Sequence, residues 1–158
     1  MDIPITTAIR TLRDAKVAFE PMLYNYTEHG GTKHAAHELG FPEHAIVKTI
    51  VMETDAKKPL IVLMHGDREI SAKQLARAIN VKSVAPCSPD TANRHTGYMV
   101  GGTSPFGMRK PLPVYAEATL FELPEIYING GRRGLLVKIA PHVLENLLRP
   151  TRVTVAIP

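Results

Sequence analysis

Apolar residues recur along this chain in two rhythms. In "PITTAIRTLRDAKVA", Ile5, Ile9, Leu12 and Ala15 fall at helical spacing beside Thr6, Arg10, Arg13 and Asp14, which predicts an amphipathic first helix opened by Pro4. Residues 45–52, "AIVKTIVM", are instead a mostly β-branched run and predict a strand covered on both faces. The polar turn "TDAKKP" joins it to "LIVLMH", residues 60–65, so the two read as an antiparallel hairpin.

The same signals extend the reading. A strand is expected through Phe19 to Tyr26, then a short helix in "GGTKHAAHELG" with Thr32 as N-cap and Gly40 as its stop. Ser71 caps "AKQLARAI", and Ser88, followed by Pro89, starts a helix ending at Gly97. "GYMVGGTSPFGMRKPLPVY" is mostly loop, "EIYINGG" and "GLLVKIA" form a strand pair, Pro141 opens "PHVLENLL", and "TRVTVAIP" is a closing strand. Short helices among strands and hairpins indicate an α+β fold: a mixed, mainly antiparallel sheet with surrounding short helices. The expected organisation is a single domain over residues 1–158.

Composition narrows the partners. Nineteen Lys and Arg against fifteen Asp and Glu give a net charge of +4, which favours a polyanion such as RNA. With no Trp, four Phe and five Tyr, an extended base-stacking platform is not expected. One cysteine, Cys87, rules out an internal disulfide and a Cys-rich metal site. Neither a signal-peptide pattern nor a membrane span is read, so a cytoplasmic location is expected.

Lys48 interrupts the apolar run at 45–52. A buried ammonium costs several kcal/mol unless it escapes along its stem, meets an anion or loses its proton. The bland alternative is snorkelling from a strand near the sheet edge. In "GGTSPFG", Gly101, Gly102 and Gly107 permit close approach of a ligand and Pro105 stiffens the turn, so loop N–H groups could line an anion or carbonyl-oxygen pocket. A fixed cation facing such amides suits a phosphate, a carboxylate or a developing oxyanion.

Other candidates are weaker. His34 and His37 share a helix face but lack a third ligand, and read as solvated surface residues. Cys87 and His95 are near in sequence, which is poor grounds for a nucleophile and base; a structural cysteine is the simpler reading. Ser104 lies outside a Gly-x-Ser-x-Gly elbow.

Taken together, "VKTIV" at 47–51, "TGYMVGGTSPFG" at 96–107 and "IYINGGRRG" at 126–134 resemble the YbaK/EbsC family of freestanding aminoacyl-tRNA deacylases, in order and spacing, over nearly the whole chain. The resemblance implies a fold similar to the editing insertion of bacterial prolyl-tRNA synthetase. It also implies hydrolysis in trans of the ester of mischarged aminoacyl-tRNA, above all cysteine on tRNA for proline. No metal or organic cofactor is implied, and prolyl-tRNA synthetase is an expected partner.

On this resemblance Lys48 matches the functional lysine and Thr49 its neighbour. Gly101, Gly102, Thr103, Ser104 and Pro105 match the Gly-x-x-x-Pro loop, and Tyr24 a pocket tyrosine. Lys48, Gly101 and Gly102 are then the catalytic candidates, with Tyr24, Thr49, Thr103, Ser104, Pro105 and Asn129 around the substrate. Arg109, Lys110, Arg132 and Arg133 are candidates for the tRNA backbone. Asn129 and Leu136 stand where cysteine-specific members carry Ser and Asp. Two other readings stay open: a non-catalytic tRNA-binding or nucleotide-binding adaptor, and a deacylase for another small amino acid such as alanine. A hydrolase built on Cys87 is the third.

Overall fold

A computed structural model describes residues 2–158. The first helix, α1 (Thr7–Asp14), is capped by the Thr6 hydroxyl, which accepts from the Ile9 N–H. Pro4 therefore lies before the helix, because a side-chain acceptor at Thr6 fixes the first turn. β1 (Glu20–Leu23) is shorter than the strand expected through Tyr26. In α2 (Gly31–Leu39) the cap position is Gly30 and not Thr32. The Thr32 hydroxyl is turned elsewhere, donating to Glu43 Oε2 and to the Gly66 carbonyl. Gly40 ends this helix in the left-handed conformation, as glycine does most readily.

The hairpin forms as expected: β2 (Ile46–Thr54) pairs antiparallel with β3 (Pro59–His65), Val47 opposite His65 and Glu53 opposite Pro59. After β4 (Glu69–Ile70) come α3 (Ala72–Ala78), capped by Ser71, and β5 (Val84–Pro86). Ser88 and the left-handed Gly97 bound α4 (Pro89–Thr96). Then follow β6 (Val114–Glu117), β7 (Ile126–Asn129), β8 (Leu135–Ile139) and α5 (His142–Leu148). The closing segment divides into β9 (Thr151–Val153) and β10 (Ala156–Ile157). β9 joins the main sheet, whereas β10 pairs with β4.

The main sheet runs β1-β8-β7-β2-β3-β6-β9, with β5 also on β2. Its β2–β7, β3–β6 and β6–β9 contacts are parallel and the others antiparallel. The hairpin is covered on both faces. Val47, Val51, Ile61 and Leu63 face Ile9 and Leu12 of α1 together with Tyr98 and Phe106. Met52, Leu60, Val62 and Met64 face Leu75 and Ala76 of α3. Leu63 is fully buried, and truncating such a residue to alanine costs about 2–5 kcal/mol. Among the described residues no helix is long and apolar enough to cross a membrane.

One interruption of the sheet positions the site. β7 meets β2 only at Ile46 and Val47, and β5 meets it only from Met52 to Thr54. Between them the edge of β2 from Lys48 to Val51 has no strand beside it. The Val51 carbonyl, which accepts from the Cys87 N–H at 2.9 Å, shows which way this register turns. In an antiparallel ladder the N–H and C=O of Thr49, two residues earlier, turn the same way, into the gap.

Candidate active site

The gap opens into a cavity of about 460 Å³. Lys48 and Thr49 form part of its wall, with Tyr24 and Tyr26 after β1, His34 of α2, Gly101 and Thr103 of the glycine-rich loop, and Asn129 and Leu136. Its remaining surface is mainly apolar, from Ile46, Val47, Ile50, Val51 and Ala92.

Lys48 is on a central strand, not near the sheet edge, and its side chain is 19% exposed. Its Nζ donates to the Arg68 carbonyl, and Glu69 Oε1 lies 3.6 Å away. The ammonium thus meets an acceptor and a carboxylate at one end of its stem. Glu69 is 74% exposed, so that ion pair is largely screened. The turn carrying Arg68 is held by the Gly66 N–H on the Ile46 carbonyl at 2.6 Å and by Asp67 Oδ1 on His44 Nδ1 at 2.8 Å. Burial works against the Asp67 carboxylate, but the His44 hydrogen bond and the His44 and Arg68 charges outweigh it and hold Asp67 below its usual range.

The loop opposite is fixed by side chains from elsewhere. Asn129 Nδ2 donates to the Gly101 carbonyl at 3.0 Å, while its Oδ1 accepts from the N–H groups of Gly131 and Arg132. Arg133 Nε donates to the Val100 carbonyl at 2.9 Å, and its guanidinium sits over the Tyr26 ring, 5.1 Å from the centroid. Gly101 has φ +90°, and a Cβ there would come within 2.7 Å of Tyr26 Oη. Gly102 is buried and its N–H donates to the Met99 carbonyl at 2.8 Å. That donor is already used, whereas the Gly101 and Thr103 N–H groups enter no such bond.

The structure brings Tyr24, Lys48, Thr49, Gly101, Thr103 and Asn129 around one cavity. Gly102, Ser104 and Pro105 lie behind its surface: Ser104 is fully buried, with its Oγ accepting from the Phe106 N–H at 3.1 Å. These three shape the loop. Asn129 is an Asx-type brace with both ends of its amide engaged, and so holds Gly101 in place. Arg109, Lys110, Arg132 and Arg133 are exposed.

Three neighbours of the site were not picked out as site residues from the sequence. His34 is half-buried, against its reading as a solvated residue, and its Nε2 is 2.6 Å from the Asn25 carbonyl. Tyr26 and Cys87 also border the cavity. Burial, then the neighbouring Tyr26, raise the pKa of Tyr24, which keeps its phenol a proton donor. Burial, then Glu53, push the Cys87 thiol up to about 11. Among the described residues no carboxylate lines the cavity. Its wall offers a cation, hydroxyls, imidazoles and main-chain groups, suited to an anionic or carbonyl-bearing ligand.

An interrupted sheet, a lysine beside its unpaired stretch and a braced glycine loop make up the site. The fold superposes on a crystal structure described as a candidate trans-editing enzyme for prolyl-tRNA synthetase, with TM-score 0.85 and 21% identity over 99% of this chain and all of that one. The chain belongs to the aminoacyl-tRNA editing domain family, which it matches over residues 29–147. It is an aminoacyl-tRNA deacylase, a hydrolase of the ester that joins an amino acid to tRNA. A candidate Cys-tRNA(Pro)/Cys-tRNA(Cys) deacylase, EbsC of Enterococcus faecalis, is 29% identical over 90% of this chain and 87% of its own length. The proline–tRNA ligase of Brachyspira hyodysenteriae is 24% identical over 58% of this chain but only 16% of its own.

Proposed function

We propose that the chain edits in trans, removing cysteine from tRNA for proline, with the terminal adenosine and its aminoacyl ester lodged between Lys48 and the Gly101–Thr103 loop. The observation that carries this is the unpaired edge of β2: it offers the Thr49 N–H and C=O beside a lysine, directly inside a cavity faced by the loop. The N–H groups of Gly101 and Thr103 polarise the ester carbonyl and stabilise the tetrahedral oxyanion. Lys48 anchors a phosphate or balances the developing charge. Tyr24, as a phenol, hydrogen-bonds the ribose or the amino acid.

With no carboxylate in the wall to act as a base, the attacking group is a positioned water or, for cysteine, the substrate's own thiol. The amino-acid end is bounded by Val47, Val51, Ala92 and Leu136, which suits a small, uncharged side chain. A second pocket of different shape gives the discrimination that a synthetase site cannot reach between residues of similar size. Exposed Arg109, Lys110, Arg132 and Arg133 contact the acceptor-stem phosphates. Prolyl-tRNA synthetase is the partner that hands over the substrate, the chain works as one domain over residues 1–158, and the reaction takes place in the cytoplasm.

The test is ester hydrolysis on tRNA for proline charged separately with cysteine, alanine and proline, with Lys48→Ala as control. Rapid Lys48-dependent loss of cysteine alone supports the reading. Preferential loss of alanine reassigns the amino acid, and binding of all three without hydrolysis replaces the enzyme with an adaptor at this pocket.

A further inference from the structure

A second cluster lies against the same cavity. Glu53 near the end of β2, Cys87 between β5 and α4, and His95 in the last turn of α4 bring a carboxylate oxygen, a sulfur and an imidazole nitrogen within 4.8 Å of one another. His95 Nε2 is 3.1 Å from Glu53 Oε2, and their side chains are only 13% and 18% exposed. His95 Nδ1 is buried with no hydrogen-bond partner. An ion shared with Glu53 would take Nε2, the ring nitrogen turned toward that carboxylate. Cys87 also borders the cavity.

We propose that Glu53, Cys87 and His95 form a binding site for a divalent cation of the zinc type, behind the wall of the editing cavity, which it reaches through Cys87 alone. Sulfur, nitrogen and oxygen donors from three elements are the mixed set that zinc accepts, with a fourth position left for water. Charge balances as well: a thiolate and a carboxylate neutralise a dication, and an imidazole ligand adds no charge. The main chain at two of the three ligands is fixed before the ion arrives, since Cys87 is tied by its N–H to the Val51 carbonyl and Glu53 is paired through Ala85 to β5.

Two neighbouring readings fit less well. As a nucleophile Cys87 would need to be a thiolate, and burial beside Glu53 keeps it protonated. A bound cation reverses that, displacing the thiol proton on binding. The other grouping of possible ligands, His44, His65 and Asp67, has three of its four ring nitrogens engaged: His65 Nδ1 is 2.7 Å from the His44 carbonyl, its Nε2 is 2.7 Å from Thr119 Oγ1, and His44 Nδ1 is taken by Asp67.

The experiment titrates the full chain with Zn²⁺ against a chromophoric chelator and, separately, with Co²⁺ followed by absorption. Expected are one ion per chain, a thiolate-to-cobalt charge-transfer band, and release of about one proton per Zn²⁺ in calorimetry across buffers. Cys87→Ser should abolish the band and weaken Zn²⁺ binding at least about tenfold, with His95→Asn weakening it similarly. Should Cys87→Ser fail to fold, protection of the only thiol in the wild-type chain from alkylation by Zn²⁺ decides. Absence of the band, binding unchanged in Cys87→Ser, or alkylation unaffected by Zn²⁺ overturns the proposal. An ion bound independently of Cys87 would lie at His44, His65 and Asp67 or on the surface.

Discussion

Lys48 and Glu117 are both charges set next to apolar strand residues, and the fold treats them in opposite ways. Glu117 is 1% exposed, and its Oε1 accepts the N–H groups of Val155 and Ala156 at 2.8 and 3.0 Å. That carboxylate fastens the corner between β9 and β10 to β6 and does not line the editing cavity. Lys48 has one carbonyl and a screened carboxylate for three donors, and it borders an open cavity. A charge whose partners are complete holds the chain together, and one whose partners are incomplete is available to a ligand.

Breaking each member of the pair separates the two roles. The largest effect is expected for Lys48→Ala: deacylation falls at least about 100-fold, the scale of losing one transition-state contact, while urea melts stay close to wild type. Retained turnover in this variant would remove Lys48 from the mechanism. Glu117→Ala does the reverse. Two N–H groups lose a charged acceptor, so stability drops by about 3 kcal/mol, and the folded fraction keeps its kcat/KM. An unchanged melt would mean that the Val155–Ala156 corner needs no anchor.

Gly101→Val sharpens the functional half. With φ at +90° and Tyr26 Oη 2.7 Å from the new Cβ, the loop or the tyrosine must shift, and kcat/KM should fall about tenfold or more. A fully active Gly101→Val enzyme would exclude the loop from substrate contact.

The structural half has a pH signature through His65, whose Nε2 meets Thr119, itself 3.5 Å from Glu117 Oε2. Burial holds the His65 pKa below its usual 6.5, with the His44 carbonyl bond opposing in part. Between those values the unfolded chain binds a proton that the folded chain refuses. Stability therefore declines as pH drops below 6.5, until the folded-state value is passed. Denaturant melts at about pH 7.5 and about pH 5.5 check this, and His65→Gln should flatten the difference. The smallest effect is expected at the rim: Arg132→Ala reduces the salt dependence of tRNA affinity by about one phosphate contact, seen as a shallower slope in binding measured across salt concentrations.

Local chemistry was legible in the sequence wherever it decided the outcome. Ser71, Ser88 and Gly97 act where they stand because capping needs only neighbouring N–H and C=O groups. Thr32 could not be read that way, since its hydroxyl is recruited by Glu43 and Gly66 from other parts of the chain. "TRVTVAIP" alternates like one strand, yet Glu117, 38 residues before Val155, takes the N–H groups at which it divides. Within the site, motifs located Lys48, Gly101 and Asn129, but the bracing task of Asn129 required the fold. Cys87 and His95 were visible as neighbours in sequence; Glu53, 42 residues before His95, was not.

The interrupted pairing along β2 also bears on strand-by-strand aggregation. An unpaired strand edge is a template on which other chains add strands and aggregate. Here the open stretch is short, stopped by β7 at one end and β5 at the other, and it lies within a cavity. A single residue of substrate can reach its main-chain groups, but a whole strand from a neighbouring molecule cannot. The enzyme can therefore leave this stretch of sheet edge open for recognition without exposing it to polymerisation.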